Sequence, residues 1–177
     1  GLVAYYPFNG NAKDGSSNGN DGYVRGATLT SDRHGKDNEA YDFSVPRSHI
    51  HILESDTLKP QKMTLNAWVY ISKEGIGKPW YLIGNHNTFQ WLIDPIGESA
   101  GVKNYFGIHQ PGVGPHGWAN VQYRGELPAG EWFMYTATYD GASLKQHLNT
   151  KEIGTLAFKG TVPYDLIIRK SLWIGGS

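Results

Sequence analysis

The 177-residue chain has no cysteine, which excludes disulfide staples, thiol nucleophiles and cysteine-based metal sites together and leaves the compartment open. It has no surplus of either charge: Lys plus Arg and Asp plus Glu number 16 each, with no local basic run. Neither nucleic acid nor an anionic membrane surface is therefore indicated as a partner. No apolar run approaches a membrane span, and Gly1-Leu2-Val3 opens the chain without the basic and apolar regions of a leader. On that count it reads as a mature protein or an excised module. A sustained helical period and an internal repeat are also lacking.

What is abundant is turn chemistry and aromatic side chains: 23 Gly, 9 Pro and 13% aromatic residues favour many short strands separated by turns. The length suits one domain, residues 1–177, with a full two-layer core. The clearest segment is 130–149. Phe133, Tyr135, Ala137 and Tyr139 fall on one face of a strand and Trp132, Met134, Thr136 and Thr138 on the other. Asp140-Gly141 reverses the chain with the positive φ angles a hairpin needs, and Leu144, Gln146 and Leu148 resume the alternation. Met63–Ile71 alternates equally well, with Trp68 and Tyr70 opposite the apolar face. Further strands are expected at Leu2–Phe8, Tyr23–Leu29, Ala40–Phe43, His49–Ile52, Trp80–Ile83, Phe89–Ile93, Asn104–Ile108, Ala119–Arg124, Ile153–Phe158 and Ser171–Ile174. Strands spaced about every ten residues without helices between them argue for an all-β antiparallel two-sheet sandwich or jelly roll and exclude a parallel α/β fold.

Three groups of residues could carry chemistry. The Gly-rich loop 9–22 places Asp14, Asn18 and Asp21 among further amides and hydroxyls. Oxygen ligands on flexible backbone suit Ca²⁺, and the same residues suit an ordinary Asx-turn loop; both readings stand. His49 and His51 share one strand face but have no third ligand nearby, so they read as solvated partners of the inward Ile50 and Ile52. The third group is aromatic: Trp80, Tyr81, Trp91, Tyr105, His109, His116 and Trp118 lie in or beside loops, close in sequence to Asn85, Gln90, Asp94 and Gln110. Aromatic planes stack on the apolar face of sugar rings while amides, carboxylates and imidazoles bond hydroxyls. A core of this size also needs such side chains, and Trp68, Trp132 and Trp173 are assigned to the core or to an outer sheet surface. Glycosidase chemistry requires two carboxylates at controlled separation, and no such cluster is found: Glu126 and Glu131 flank a short loop, and Glu54 and Glu152 are isolated. Serine-hydrolase, phosphate-loop and dinucleotide motifs are missing too.

The order of several short motifs resembles the bacterial laminin-G-like domains of the concanavalin A-like lectin and glucanase superfamily. The carriers are Leu2-Val3-Ala4-Tyr5-Tyr6-Pro7-Phe8-Asn9-Gly10-Asn11-Ala12-Lys13-Asp14, Ser17-Asn18-Gly19-Asn20-Asp21-Gly22, Gly26-Ala27-Thr28-Leu29 with Asp32-Arg33 and Gly35, Met63-Thr64-Leu65-Asn66-Ala67-Trp68-Val69, Gly130-Glu131-Trp132 with Ala137-Thr138-Tyr139-Asp140-Gly141, and Leu172-Trp173-Ile174-Gly175-Gly176. The resemblance implies a jelly roll, a rim calcium, and a non-catalytic glycan-binding module of a larger exported bacterial enzyme or adhesin, secreted or held at the cell surface. A structural or protein-binding module is the alternative it leaves, and a polysaccharide lyase or glucanase the third. Three departures follow from the same comparison. Asn149-Thr150 replaces the usual Asn-Gly, which implies a longer turn or one of another type. Gln146 stands at a core position that is usually aliphatic. The family's final strand, which lies beside the first and would supply one calcium ligand, has no counterpart before Ser177, so another segment or chain is expected to complete the sheet.

Overall fold

A computed structural model describes residues 1–74, 79–85, 87–94, 104–113, 117–166 and 171–176. The period-two segments become strands: β1 (Gly22–Arg25), β2 (Thr28–Thr30), β3 (Ala40–Asp42), β4 (His49–Leu53), β5 (Met63–Tyr70), β6 (Trp80–Asn85), β7 (Phe89–Ile93), β8 (Tyr105–His109), β9 (Trp118–Gln122), β10 (Trp132–Tyr139), β11 (Ser143–Leu148), β12 (Lys151–Ala157) and β13 (Ser171–Ile174). They pair antiparallel in a seven-stranded sheet, β1-β4-β13-β6-β7-β8-β9, a four-stranded sheet, β12-β11-β10-β5, and the small hairpin β2-β3. The all-β sandwich expected from the turn spacing is what the chain forms.

The core lies between the two larger sheets. Phe133, Tyr135, Ala137 and Tyr139 of β10 and Leu144 of β11 are buried against Ile50 and Ile52 of β4, Phe89, Trp91 and Ile93 of β7, and Phe106 and Ile108 of β8. Each large apolar side chain removed from water contributes about 1.5–3 kcal/mol. At one side of the sandwich the sheets come together: a Cβ on Gly154 would meet Val121 Cγ2 at 2.9 Å and Gln122 O at 3.2 Å, so β12 closes on β9 because Gly154 has none. The other end of the smaller sheet is β5, whose inward Leu65, Ala67 and Val69 stay half-buried.

Gln146 is completely buried, and its partners explain how a polar side chain sits there. It accepts the Tyr135 hydroxyl proton, and its Nε2 donates to the carbonyls of Val121 (2.8 Å) and Asn104 (3.2 Å). Both protons of the amide are used, which removes the cost of burying it. The departure from an aliphatic residue is thus a polar cross-tie between the sheets.

Two turns differ from expectation. The β10–β11 connection has three residues, with positive φ at Gly141 alone (92°); Asp140 contributes by accepting the N–H groups of Ala142 (2.8 Å) and Ser143 (2.7 Å), an Asx turn. The β11–β12 turn is not lengthened: Leu148 pairs with Lys151 across Asn149-Thr150. Its positive φ falls on Asn149 (54°) and spares the β-branched Thr150. That turn is of another type, as the missing glycine implied.

The expected first strand does not form. Leu2–Phe8 joins no ladder, because side chains of the following loop take its polar groups. Asp14 Oδ1 accepts the Tyr5 N–H at 2.9 Å, Asn18 Nδ2 donates to the carbonyls of Leu2 (3.1 Å) and Val3 (2.9 Å), and Asn20 Nδ2 donates to that of Val3 (3.1 Å). Tyr6 and Phe8 still pack against the core.

Candidate functional site

Alternation on the seven-stranded sheet decides which side chains face away from the core. In β7, Phe89, Trp91 and Ile93 point inward, so Gln90 and Leu92 point outward. The register then carries the outward face across the sheet: Gln90 stands opposite Gly107 and Gly84, Gly107 opposite Asn120, Leu92 opposite Tyr105 and Tyr81, and His109 opposite Trp118. On the other flank Trp173 stands opposite Gly84 and His51, and His51 opposite Tyr23. One face therefore gathers Tyr81, Tyr105, His109 and Trp118, four of the seven aromatic or imidazole candidates, from three strands.

These groups hold one another. The Tyr105 hydroxyl donates to Gln90 Oε1 at 2.9 Å, and Gln122 Nε2 donates to Asn120 Oδ1 at 2.9 Å. The His109 and Trp118 rings meet edge to face at 5.1 Å. Burial pushes the Tyr105 phenol up to about 12, helped by nearby Tyr81 and Asp94, and burial raises Tyr81 as well. Both phenols stay neutral donor-acceptors at ordinary pH. The outward positions of these strands carry no carboxylate; Asp94 follows the end of β7 and is fully buried.

Two candidates are corrected. Trp91 is 1% exposed and packs against Tyr135 at 4.9 Å between ring centres, so no ligand can stack on it. Trp80 stands opposite Ile93, which puts it on the core side of the sheet, away from Tyr81. His116 lies outside the described residues. Asn120, Gln122 and Trp173 belong to the face but were not among the candidates; the alternation Trp118-Ala119-Asn120-Val121-Gln122 is the signal that would have found two of them. Trp68 and Trp132 lie on the outer surface of the smaller sheet, Trp68 under the Arg33 guanidinium at 4.5 Å from its ring centre and Trp132 beside Tyr70.

The calcium candidates form a different arrangement. Asp14 Oδ1 accepts the N–H groups of Tyr5 and Ser16, and Oδ2 accepts the Ser16 hydroxyl (2.7 Å) and the Asn20 N–H (2.9 Å). All four lone-pair directions are taken. Asn18 turns its NH₂ group, not its oxygen, toward the chain, and Asp21 Oδ1 accepts the Asp14 N–H at 2.9 Å. So placed, Asp14 spends its oxygens on the chain's own donors, and among the described residues no group of three or more His, Cys, Asp or Glu could hold a metal.

Comparison with known proteins bears on the fold and the family. Domain 4 of AbnA, a GH43 extracellular arabinanase from Geobacillus stearothermophilus solved in complex with arabinotriose, is similar with a TM-score of 0.69 at 16% identity, over 99% of this chain and 84% of that one. The carbohydrate-binding module CBM66 from Bacillus subtilis has a TM-score of 0.46 at 10% identity, over 88% of this chain and 92% of that one. No curated protein matches. A laminin-G family model matches residues 47–177, the greater part of the sequence. The chain belongs to the concanavalin A-like lectin/glucanases superfamily.

Proposed function

We propose that this protein is a non-catalytic glycan-binding module and that the outward face of its seven-stranded sheet is the binding surface. The observation that carries the reading is the composition of that face among the described residues: aromatic rings for stacking, amides and phenols for hydroxyl groups, and no carboxylate pair to cleave a glycosidic bond. Trp118, backed by His109, supplies the stacking plane, and the partly exposed Tyr105, Asn120 and Gln122 supply the polar contacts, with the buried Gln90 fixing the Tyr105 hydroxyl. The arabinotriose complex of the similarly folded arabinanase domain supports this ligand class. The module's role is then proximity, holding an exported partner domain on polysaccharide and raising its local concentration there.

Affinity electrophoresis against a panel of neutral polysaccharides tests the reading. Retardation by at least one glycan is expected, weakened about tenfold or more by Trp118→Ala, consistent with about 1.4 kcal/mol or more from one stacked ring. Absence of retardation across the panel, or release of reducing ends from the glycan, would overturn it.

A further inference from the structure

A cavity of about 530 Å³ opens at the end of the sandwich, between Tyr123, which follows β9 of the larger sheet, and the β11–β12 turn of the smaller one. Its size falls in the ~300–1,000 Å³ range of small-molecule sites. The register decides which side chains share its side of the turn, because cross-strand partners lie on one face. Leu148 continues the inward alternation of the buried Leu144 and Gln146, and Lys151 stands opposite Leu148. Lys151 is therefore on the core side of the sheet. Glu152 also lines the cavity, but it stands opposite His147 on the outer face, where its Oε2 meets Lys145 Nζ at 3.1 Å and His147 Nε2 at 3.9 Å. Its charge is drawn outward, and Lys151 has no ion-pair partner among the described residues.

Neutral donors and an apolar floor surround that cation. Asn149 spends its Oδ1 on the Met134 N–H at 3.0 Å, and its NH₂ group makes no hydrogen bond among the described residues. Thr150 is exposed beside it, and the partly exposed Tyr123 has a hydroxyl likewise without a partner among those residues. The Tyr123 ring is seated over Gly125, where any Cβ would collide with its Cζ. Leu148 and Ile153, half-buried and packed on the core, complete the floor.

We propose that this pocket binds a sugar unit carrying a carboxylate, a uronic acid residue of a polysaccharide. The apolar face of the ring lies on Tyr123, Leu148 and Ile153, the hydroxyls meet Asn149, Thr150 and the Tyr123 hydroxyl, and the carboxylate pairs with Lys151. A neutral sugar would leave Lys151 unpaired, and a bare anion would leave the floor uncovered. The choice of a sugar rests on the glycan-binding reading; the place and the charge of the ligand do not, since the pocket lies off the sheet face.

Heteronuclear NMR titration of the intact protein with methyl glucuronoside, methyl galacturonoside, methyl glucoside and acetate is the test. Saturable shifts at Tyr123, Asn149 and Lys151 are expected with at least one uronoside, and binding about fivefold weaker or less with the glucoside and with acetate. Lys151→Ala should weaken the uronoside about fivefold, the upper end for an exposed charge pair, and leave retardation by neutral glycans unchanged. Lys151→Glu should abolish uronoside binding. Both variants change an exposed side chain at a turn, so the fold is not at stake. No saturable shift at these residues with either uronoside would overturn the site, and so would uronoside affinity unchanged in Lys151→Ala. Equal affinity for the glucoside would overturn the charge, and equal affinity for acetate would overturn the sugar. Neutral-glycan binding that survives any of these results leaves the sheet-face reading standing, whereas uronoside binding in a protein that no neutral glycan retards would refute the face and keep the pocket.

Discussion

Replacing Asp14 by Ala removes one carboxylate and leaves four donors without their acceptor: the N–H groups of Tyr5, Ser16 and Asn20 and the Ser16 hydroxyl. Hydrogen bonds to charged groups contribute more than neutral ones, but Asp14 is only half-buried, so about 1 kcal/mol each is the appropriate scale and the total is about 3–4 kcal/mol. For a domain of this size that lowers Tm by about 10 °C. Asp14→Asn keeps one oxygen and should fall between wild type and Asp14→Ala. Circular dichroism melts, run with millimolar calcium and with EDTA, measure the effect, and limited proteolysis should find residues 1–8 newly susceptible in the variant. A pH series adds an independent check. Burial pushes the Asp14 carboxyl up, but the bonds from Tyr5, Ser16 and Asn20 outweigh it and hold the group below its usual range; its contribution is therefore complete above the ordinary carboxyl range and lost as pH falls through and below about 4. The reasoning is refuted if EDTA lowers the wild-type Tm by a comparable amount and Asp14→Ala no longer responds, since Asp14 would then be holding a metal. A melt unchanged by Asp14→Ala refutes it as well.

Gln146→Ala should cost about 3 kcal/mol in urea unfolding, because it removes the Gln146 partner of the Tyr135 hydroxyl and of the Val121 carbonyl, takes one of two donors from the Asn104 carbonyl and opens a cavity; Tyr135→Phe, which removes one partner only, should cost about half as much, and equal losses would mean that the cross-tie is not what Gln146 contributes. Burial, then His49 and Arg25, lower the His51 imidazole from its ordinary value. The folded protein therefore resists protonation there, and stability should decline as pH falls through the ordinary histidine range near 6.5. His51→Gln should flatten that part of the pH profile, and a profile with the same slope would exclude His51 as its source.

Much of the fold was legible because one face of each strand is dry and the other is not. β5 and β10 alternate so regularly that their inward residues could be read directly, and His49–Ile52 likewise. Legibility failed where that contrast disappears. β7 is buried on both faces, Phe-Gln-Trp-Leu-Ile throughout, so sequence proximity to Gln90 made Trp91 look like a loop-side ring when it is core. Leu2–Phe8 has the composition of a strand, yet its polar groups are met by Asp14, Asn18 and Asn20, a competition of side chains with the ladder that no period reveals. The candidate face was legible in part for the same reason: Tyr81, Tyr105, His109 and Trp118 share one side of the sheet, while Trp173 joins it from a strand distant in sequence that only the sheet order brings alongside Gly84.

The hydrogen bonds of Tyr105 to Gln90 and of Gln122 to Asn120 have a consequence for the kinetics and thermodynamics of any ligand that lands on this face. Gln90 and Leu92 are themselves withdrawn from solvent, and the partly exposed Tyr105, Asn120 and Gln122 are held by these bonds, so the side chains that would greet a ligand have few rotamers left to surrender. Ordering long side chains on association costs about 0.5–1.5 kcal/mol each, and here much of that loss is taken during folding. Such a surface behaves as a rigid template: binding of the proposed glycan should show little conformational lag, and weak contacts from each of its sugars should add instead of being consumed by reorganisation of the protein.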